Sequence, residues 1–143
     1  MATHPELPVL IVEDDSGVRE LLATLLGDNG LSVAICPNGS DALAWLEQQR
    51  PALILLDLAL PMISGEEVAH SARRRFGAAL PILVVTGDAH PRERTEQADT
   101  FVYMTKPFDN DELLRVVRAL INPEEPLGVF TAAASGEGGG AQR

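Results

Sequence analysis

The sequence predicts an α/β fold: five strand–helix units forming a parallel sheet between two helix layers. Three observations predict it. Short, continuous apolar runs such as Val9-Leu10-Ile11-Val12 and Leu53-Ile54-Leu55-Leu56 read as strands buried on both faces. Segments with helical spacing of apolar residues lie between them, and strand–helix alternation is the signature of a layered parallel sheet. Turn-forming Gly and Pro residues punctuate the alternation.

The elements follow in order. After the Val9–Val12 run, Val18, Leu21, Leu22, Leu25 and Leu26 form one stripe of a helix from about Ser16 to Asn29, and Gly30 ends it. Leu31, Val33 and Ile35 alternate with Ser32, Ala34 and Cys36, the period of a half-exposed edge strand. Pro37-Asn38-Gly39 turns the chain, and Ser40 is expected to cap a helix through Gln49 carrying Leu43 and Leu46. Pro51 precedes the strand ending at Asp57. Pro61 to Gly65 reads as a loop and Glu66 to Phe76 as a helix with Val68, Ala69, Ala72 and Phe76 inward, closed by Gly77. Ile82 to Val85, running into Thr86, is the fourth strand. Gly87 to Thr100 carries the weakest helical pattern and is expected to be a short helix. Phe101 to Met104 is the fifth strand, and Asp109 or Asn110 to Ile121 the last helix, with Leu113, Val117, Leu120 and Ile121 on one face. The expected organisation is an N-terminal arm at 1–7, one domain at 8–122, and a flexible Pro/Gly/Ala-rich tail at 123–143.

Composition narrows the classes of function. The 143 residues hold 21 acidic against 11 basic side chains, a formal charge of −10. That balance excludes a nucleic-acid surface, which needs clustered Lys and Arg; Arg73-Arg74-Arg75 reads as a solvated helix face. A single Cys36 excludes an internal disulfide and suits a reducing compartment, where it reads as a small apolar residue of a strand. No signal peptide or membrane span is apparent, so the expected location is cytoplasmic. His4, His70 and His90 lack metal-ligand spacing, and Trp45 reads as a packing residue.

The strand ends carry the chemistry. Glu13-Asp14, Asp57, Thr86 and Lys106 each follow an apolar run, and the carboxyl ends of parallel strands form the ligand-binding edge of such a sheet. Three converging carboxylates against one ammonium need a cation, or one of them must hold a proton: two unit charges ~4 Å apart repel by roughly 4 kcal/mol at an effective dielectric of ~20. Oxygen-only ligands suit Mg²⁺, and no soft ligand favours zinc. With the charge neutralised, an Asp oxygen can accept a phosphoryl group, Lys106 and Thr86 serving its other oxygens.

Glu13-Asp14, Asp57 with its Leu-Ala-Leu-Pro-Met-Ile-Ser-Gly continuation, Thr86-Gly87 and Lys106-Pro107-Phe108 together resemble the receiver domain (CheY-like) of bacterial two-component response regulators, over roughly Pro8 to Ile121. The resemblance implies a flavodoxin-like doubly wound (βα)5 sandwich with sheet order 2-1-3-4-5. It implies a signalling phosphoacceptor rather than an enzyme, with Asp57 phosphorylated from a phosphohistidine of a histidine kinase or histidine phosphotransfer protein. Glu13, Asp14, Asp57 and the backbone carbonyl of Ala59 would hold Mg²⁺, with Mn²⁺ as a substitute. Thr86, Lys106 and Tyr103 would form the phosphoryl-binding and switch set, and Lys106–Pro107 would be a cis peptide. A downstream protein would bind the face of the fourth predicted helix, fifth strand and last helix, Leu114 and Val116 included, and phosphorylation-dependent dimerisation is a secondary expectation. The chain departs from the family pattern in a shortened Thr86–Lys106 segment and in Gln97-Ala98, where Gly-Ala is usual.

Two other classes of function fit these residues less well. A pseudo-receiver that only binds partners would not need Glu13, Asp14, Asp57, Thr86 and Lys106 intact. A hydrolase of the haloacid dehalogenase kind wants an acid two positions after its nucleophile, where Ala59 stands. Dinucleotide binding lacks a Gly-x-Gly-x-x-Gly after the first strand.

Overall fold

A computed structural model describes residues 7–87 and 101–122. Five strands, β1 (Val9–Val12), β2 (Val33–Cys36), β3 (Leu53–Leu56), β4 (Ile82–Thr86) and β5 (Val102–Thr105), form one parallel sheet in the order β2-β1-β3-β4-β5. Four helices are described: α1 (Ser16–Asp28), α2 (Gly39–Gln48), α3 (Gly65–Phe76) and α4 (Asn110–Ile121). This is the expected flavodoxin-like architecture. Residues 1–6 of the expected arm at 1–7, residues 88–100 of the helix expected over Gly87–Thr100 and the tail from 123 lie outside the described residues.

Alternation within each strand builds two cores. Leu10, Val12, Ile54, Leu56, Ile82 and Val84 meet Ala42 and Leu46 of α2 and Val68, Ala69 and Ala72 of α3. Val9, Ile11, Leu53, Leu55, Leu83 and Val85 meet Leu22 and Leu26 of α1 and Leu113, Val116 and Val117 of α4. Successive strand side chains point to opposite faces, so an unbroken apolar run is what a sheet covered on both sides requires. Each fully buried Leu or Ile contributes about 1.5–3 kcal/mol, and this rigid double core fixes where the strands end.

The termini of the helices correct several expectations. α2 is capped by Asn38, not Ser40: Asn38 is extended and its Oδ1 accepts the Asp41 N–H at 2.7 Å, leaving Gly39 and Ser40 inside the first turn. α3 starts at Gly65, one residue before the expected start, because Ser64 and Glu67 form a reciprocal capping box with distances of 3.2 and 3.1 Å. α1 ends at Asp28, one residue before the expected Asn29, and Gly30 closes it as expected: its φ of 87° permits the Leu31 N–H to reach the Leu26 carbonyl and the Gly30 N–H that of Gly27.

Four side chains also differ from their expected settings. Ile35 is half exposed, since β2 is the sheet edge and α1 covers its neighbour Val33 instead. Val116 is fully buried between α4 and the sheet, so it cannot belong to an exposed partner face; Leu114 is partly buried there. Arg73 is not simply solvated: its guanidinium lies 5.2 Å over the Phe101 ring, and Arg75 bonds the Glu47 carbonyl at 3.1 Å. Among the described residues no helix is long and apolar enough to cross a membrane.

Candidate phosphoacceptor site

The site forms where the central strands stop. Glu13 follows β1 and Asp57 follows β3, adjacent strands whose ends are tied by the Asp57 N–H to the Val12 carbonyl at 3.1 Å. Lys106 follows β5 and is fixed across the ladder, its N–H donating to the Thr86 carbonyl at 2.9 Å. Thr86 is fully buried at the last position of β4, opposite Thr105. Four strand ends thus deliver Glu13, Asp57, Thr86 and Lys106 to one edge of the sheet.

Lys106 Nζ lies 3.0 Å from Glu13 Oε1 and 3.0 Å from Asp57 Oδ2. Both carboxylates are nearly inaccessible, at 2% and 6% residue exposure. Asp57 Oδ1 accepts the Ala59 N–H at 3.0 Å, and Glu13 Oε2 accepts the Asp15 N–H at 3.1 Å. Burial pushes the Glu13 carboxyl above its ordinary range; the Asp57 charge acts in the same direction, against the bonds from Lys106 and Asp15. Burial alone would pull the Lys106 ammonium down, but its bonds to Glu13 and Asp57 outweigh that and leave it above its ordinary value.

Asp14 is exposed at the rim, and carboxylate oxygens of Glu13, Asp14 and Asp57 all lie within 4.8 Å of one another. Three carboxylates against one ammonium leave the edge net negative, and a hard, oxygen-only donor set with an exposed member fits a divalent cation that keeps part of its water shell. Ala59 is exposed two residues past Asp57. The Lys106–Pro107 peptide bond is cis. Tyr103 is buried on the α2–α3 side of the sheet, its ring 6.3 Å from that of Phe101.

Two contributors were not anticipated from sequence. Gly65, read as loop, lies against the backbone of Asp57 and Leu58, where a Cβ would sit 2.5 Å from Leu58 Cα and strike the Asp57 carbonyl oxygen. Arg19 Nη1 donates to the Glu13 carbonyl at 3.0 Å and the Asp14 carbonyl at 3.3 Å. The Gly that ends the Asp57 continuation was visible, but the close approach that requires it is a tertiary fact. Arg19 carried no signal beyond its place in the first turns of α1.

A family model for the response regulator receiver domain matches residues 9–118. The chain belongs to the response regulator receiver family. The receiver fold, and with it a place in two-component signalling, accounts for the strand order and for the acidic sheet edge. The chain is 37% identical, over 82% of its length and 92% of the relative's, to an uncharacterized 14.6 kDa protein of Leptolyngbya boryana. It is 38% identical to the response regulator MprA of Mycobacterium avium, again over 82% of this chain but only 52% of MprA, so it spans about half the length of that relative. Among solved structures it resembles the response regulator TrrA of Thermotoga maritima in complex with Mg²⁺-BeF, with 31% identity and a TM-score of 0.70 over 80% of this chain and 98% of that one.

Proposed function

We propose that this receiver domain takes a phosphoryl group onto Asp57 in a Mg²⁺-dependent transfer from the phosphohistidine of a histidine kinase or histidine phosphotransfer protein. The observation that carries the reading is Lys106 Nζ at 3.0 Å from both Asp57 and Glu13, on a sheet edge shared with Asp14. Glu13, Asp14 and Asp57, joined by the Ala59 carbonyl, would hold the cation, for which Mn²⁺ would substitute. Bound there, the metal supplies positive charge against the phosphoryl oxygens.

The chain's own groups do the rest. An Asp57 carboxylate oxygen forms the new P–O bond as the P–N bond breaks, its electron pair returning to the imidazole nitrogen. In such transfers positioning and charge neutralisation supply most of the rate. The Lys106 ammonium, already directed at Asp57, would pair with one phosphoryl oxygen, and the Thr86 hydroxyl would donate to another. Thr86 and Lys106 are joined through the β4–β5 ladder, a connection by which movement at either would be passed to β5 and Tyr103. The phosphorylated state would thereby bias an existing equilibrium of the surface that a downstream protein reads. The chain would act as a signalling phosphoacceptor that catalyses only its own phosphorylation and dephosphorylation.

Incubation with Mg²⁺ and acetyl phosphate, followed by intact-protein mass measurement, tests this. One added phosphoryl group is expected on the wild type and none on Asp57→Asn or when EDTA replaces the metal. A wild type that stays unmodified would leave only a constitutive binding module.

A further inference from the structure

We propose that Arg19 is a positioning residue for the divalent-cation site, holding the backbone of Glu13 and Asp14 so that their carboxylates face Asp57. The proposal rests on the reading that these three carboxylates take Mg²⁺.

The Arg19 side chain secures two successive carbonyls, and its backbone makes the ordinary first helical bond to the next. Arg19 Nη1 reaches those of Glu13 and Asp14 at 3.0 and 3.3 Å, and the Arg19 backbone N–H bonds that of Asp15 at 2.9 Å. These carbonyls belong to the turn that carries the chain from β1 into α1, the segment that presents both acids. The Glu13 side chain is held separately, by Lys106 on one oxygen and the Asp15 N–H on the other. Asp14 is exposed, so the direction of its carboxylate rests on its backbone, and Arg19 holds that backbone.

The charge of Arg19 works the other way. A guanidinium near the site repels a cation, so two effects of opposite sign are present. Coulomb repulsion from a half-buried side chain is weakened by water and salt. Partners bonded to the ligating groups themselves are commonly worth 10–100-fold in metal affinity, and Arg19, which acts one step further back on the backbone, belongs at the low end of that range. Orientation therefore wins, and the direction of the change on removing Arg19 separates the two.

The test is calorimetric titration of MgCl₂ into wild type, Arg19→Met and Arg19→Lys, with no phosphodonor present and folding checked by circular dichroism. Arg19→Met is expected to bind Mg²⁺ about tenfold more weakly than wild type. Arg19→Lys, which keeps charge and donors, is expected to recover most of the loss. Unchanged or tighter binding by Arg19→Met overturns the proposal, tighter binding showing that only the charge was felt. Equal weakening in Arg19→Lys also overturns it. A wild type that takes no Mg²⁺ sinks the cation-site reading itself, an outcome distinct from these.

Discussion

Gly65 has no room for a side chain against Asp57. It opens α3 with its N–H on the Leu58 carbonyl at 3.2 Å, and any Cβ would run into the Asp57 carbonyl oxygen and lie 2.5 Å from Leu58 Cα. The start of α3 and the strand end that bears Asp57 are therefore one rigid unit. Both clashing groups are backbone, which cannot turn aside as a flexible side chain can.

Gly65→Ala is accordingly expected to destabilise the fold by about 1–3 kcal/mol, the usual range for overpacking, and to slow modification of Asp57 by displacing its loop. Urea denaturation measures the first and the rate of phosphoryl uptake the second. An alanine variant with wild-type stability would mean that α3 can retreat freely.

Ser64→Ala removes half of the capping box and is expected to cost about 1 kcal/mol. Because Ser64 and Glu67 are both surface groups, the loss should appear in chemical denaturation without any change in Mg²⁺ affinity. A large drop in metal binding would show that the β3–α3 loop depends on this cap.

Lys106→Met should destabilise the metal-free protein in a pH-dependent manner. Lys106 gains its partners on folding, so its contribution is complete below its unfolded value and is lost only in strongly alkaline solution. Glu13 is already raised by burial, and without Lys106 it rises further. A carboxyl raised in the folded state favours folding below its unfolded value and loses that advantage as pH climbs through the folded one. The variant's deficit against wild type should therefore be small near about pH 5 and larger near about pH 8, where breaking one partner of a buried ion pair costs about 3–5 kcal/mol. Guanidinium melts at the two pH values in EDTA decide it, and a pH-independent deficit would contradict the coupling.

Cys36 is buried, and desolvation, assisted by the charge of Asp41, pushes its thiol up to about 11. The thiolate is the reactive form, so near about pH 8 only on the order of one molecule in a thousand carries it. Native protein should resist iodoacetamide and react readily once unfolded. Fast native labelling would show that the β2 edge opens.

The sequence carried the strand positions well because β1, β3 and β4 are buried on both faces, and unbroken apolar runs have few other uses. Where burial is partial the pattern loses force. Ile35 obeys strand alternation yet is half exposed, because alternation names a face but not what covers it. Asn38 and Ser40 are both capable caps two residues apart, and only the extended backbone of Asn38 decides between them. At the site, the charged residues were legible because each follows a strand run. The contacts of Gly65 and Arg19 were not, since they depend on how closely a loop and a helix approach the sheet edge.

The most direct measurement of the central claim is the position of the phosphoryl group. Wild-type protein treated with acetyl phosphate and Mg²⁺, reduced with borohydride and mapped by peptide mass spectrometry should yield homoserine at position 57 alone. Homoserine at position 14, or at no position while Mg²⁺ binds normally, would contradict it.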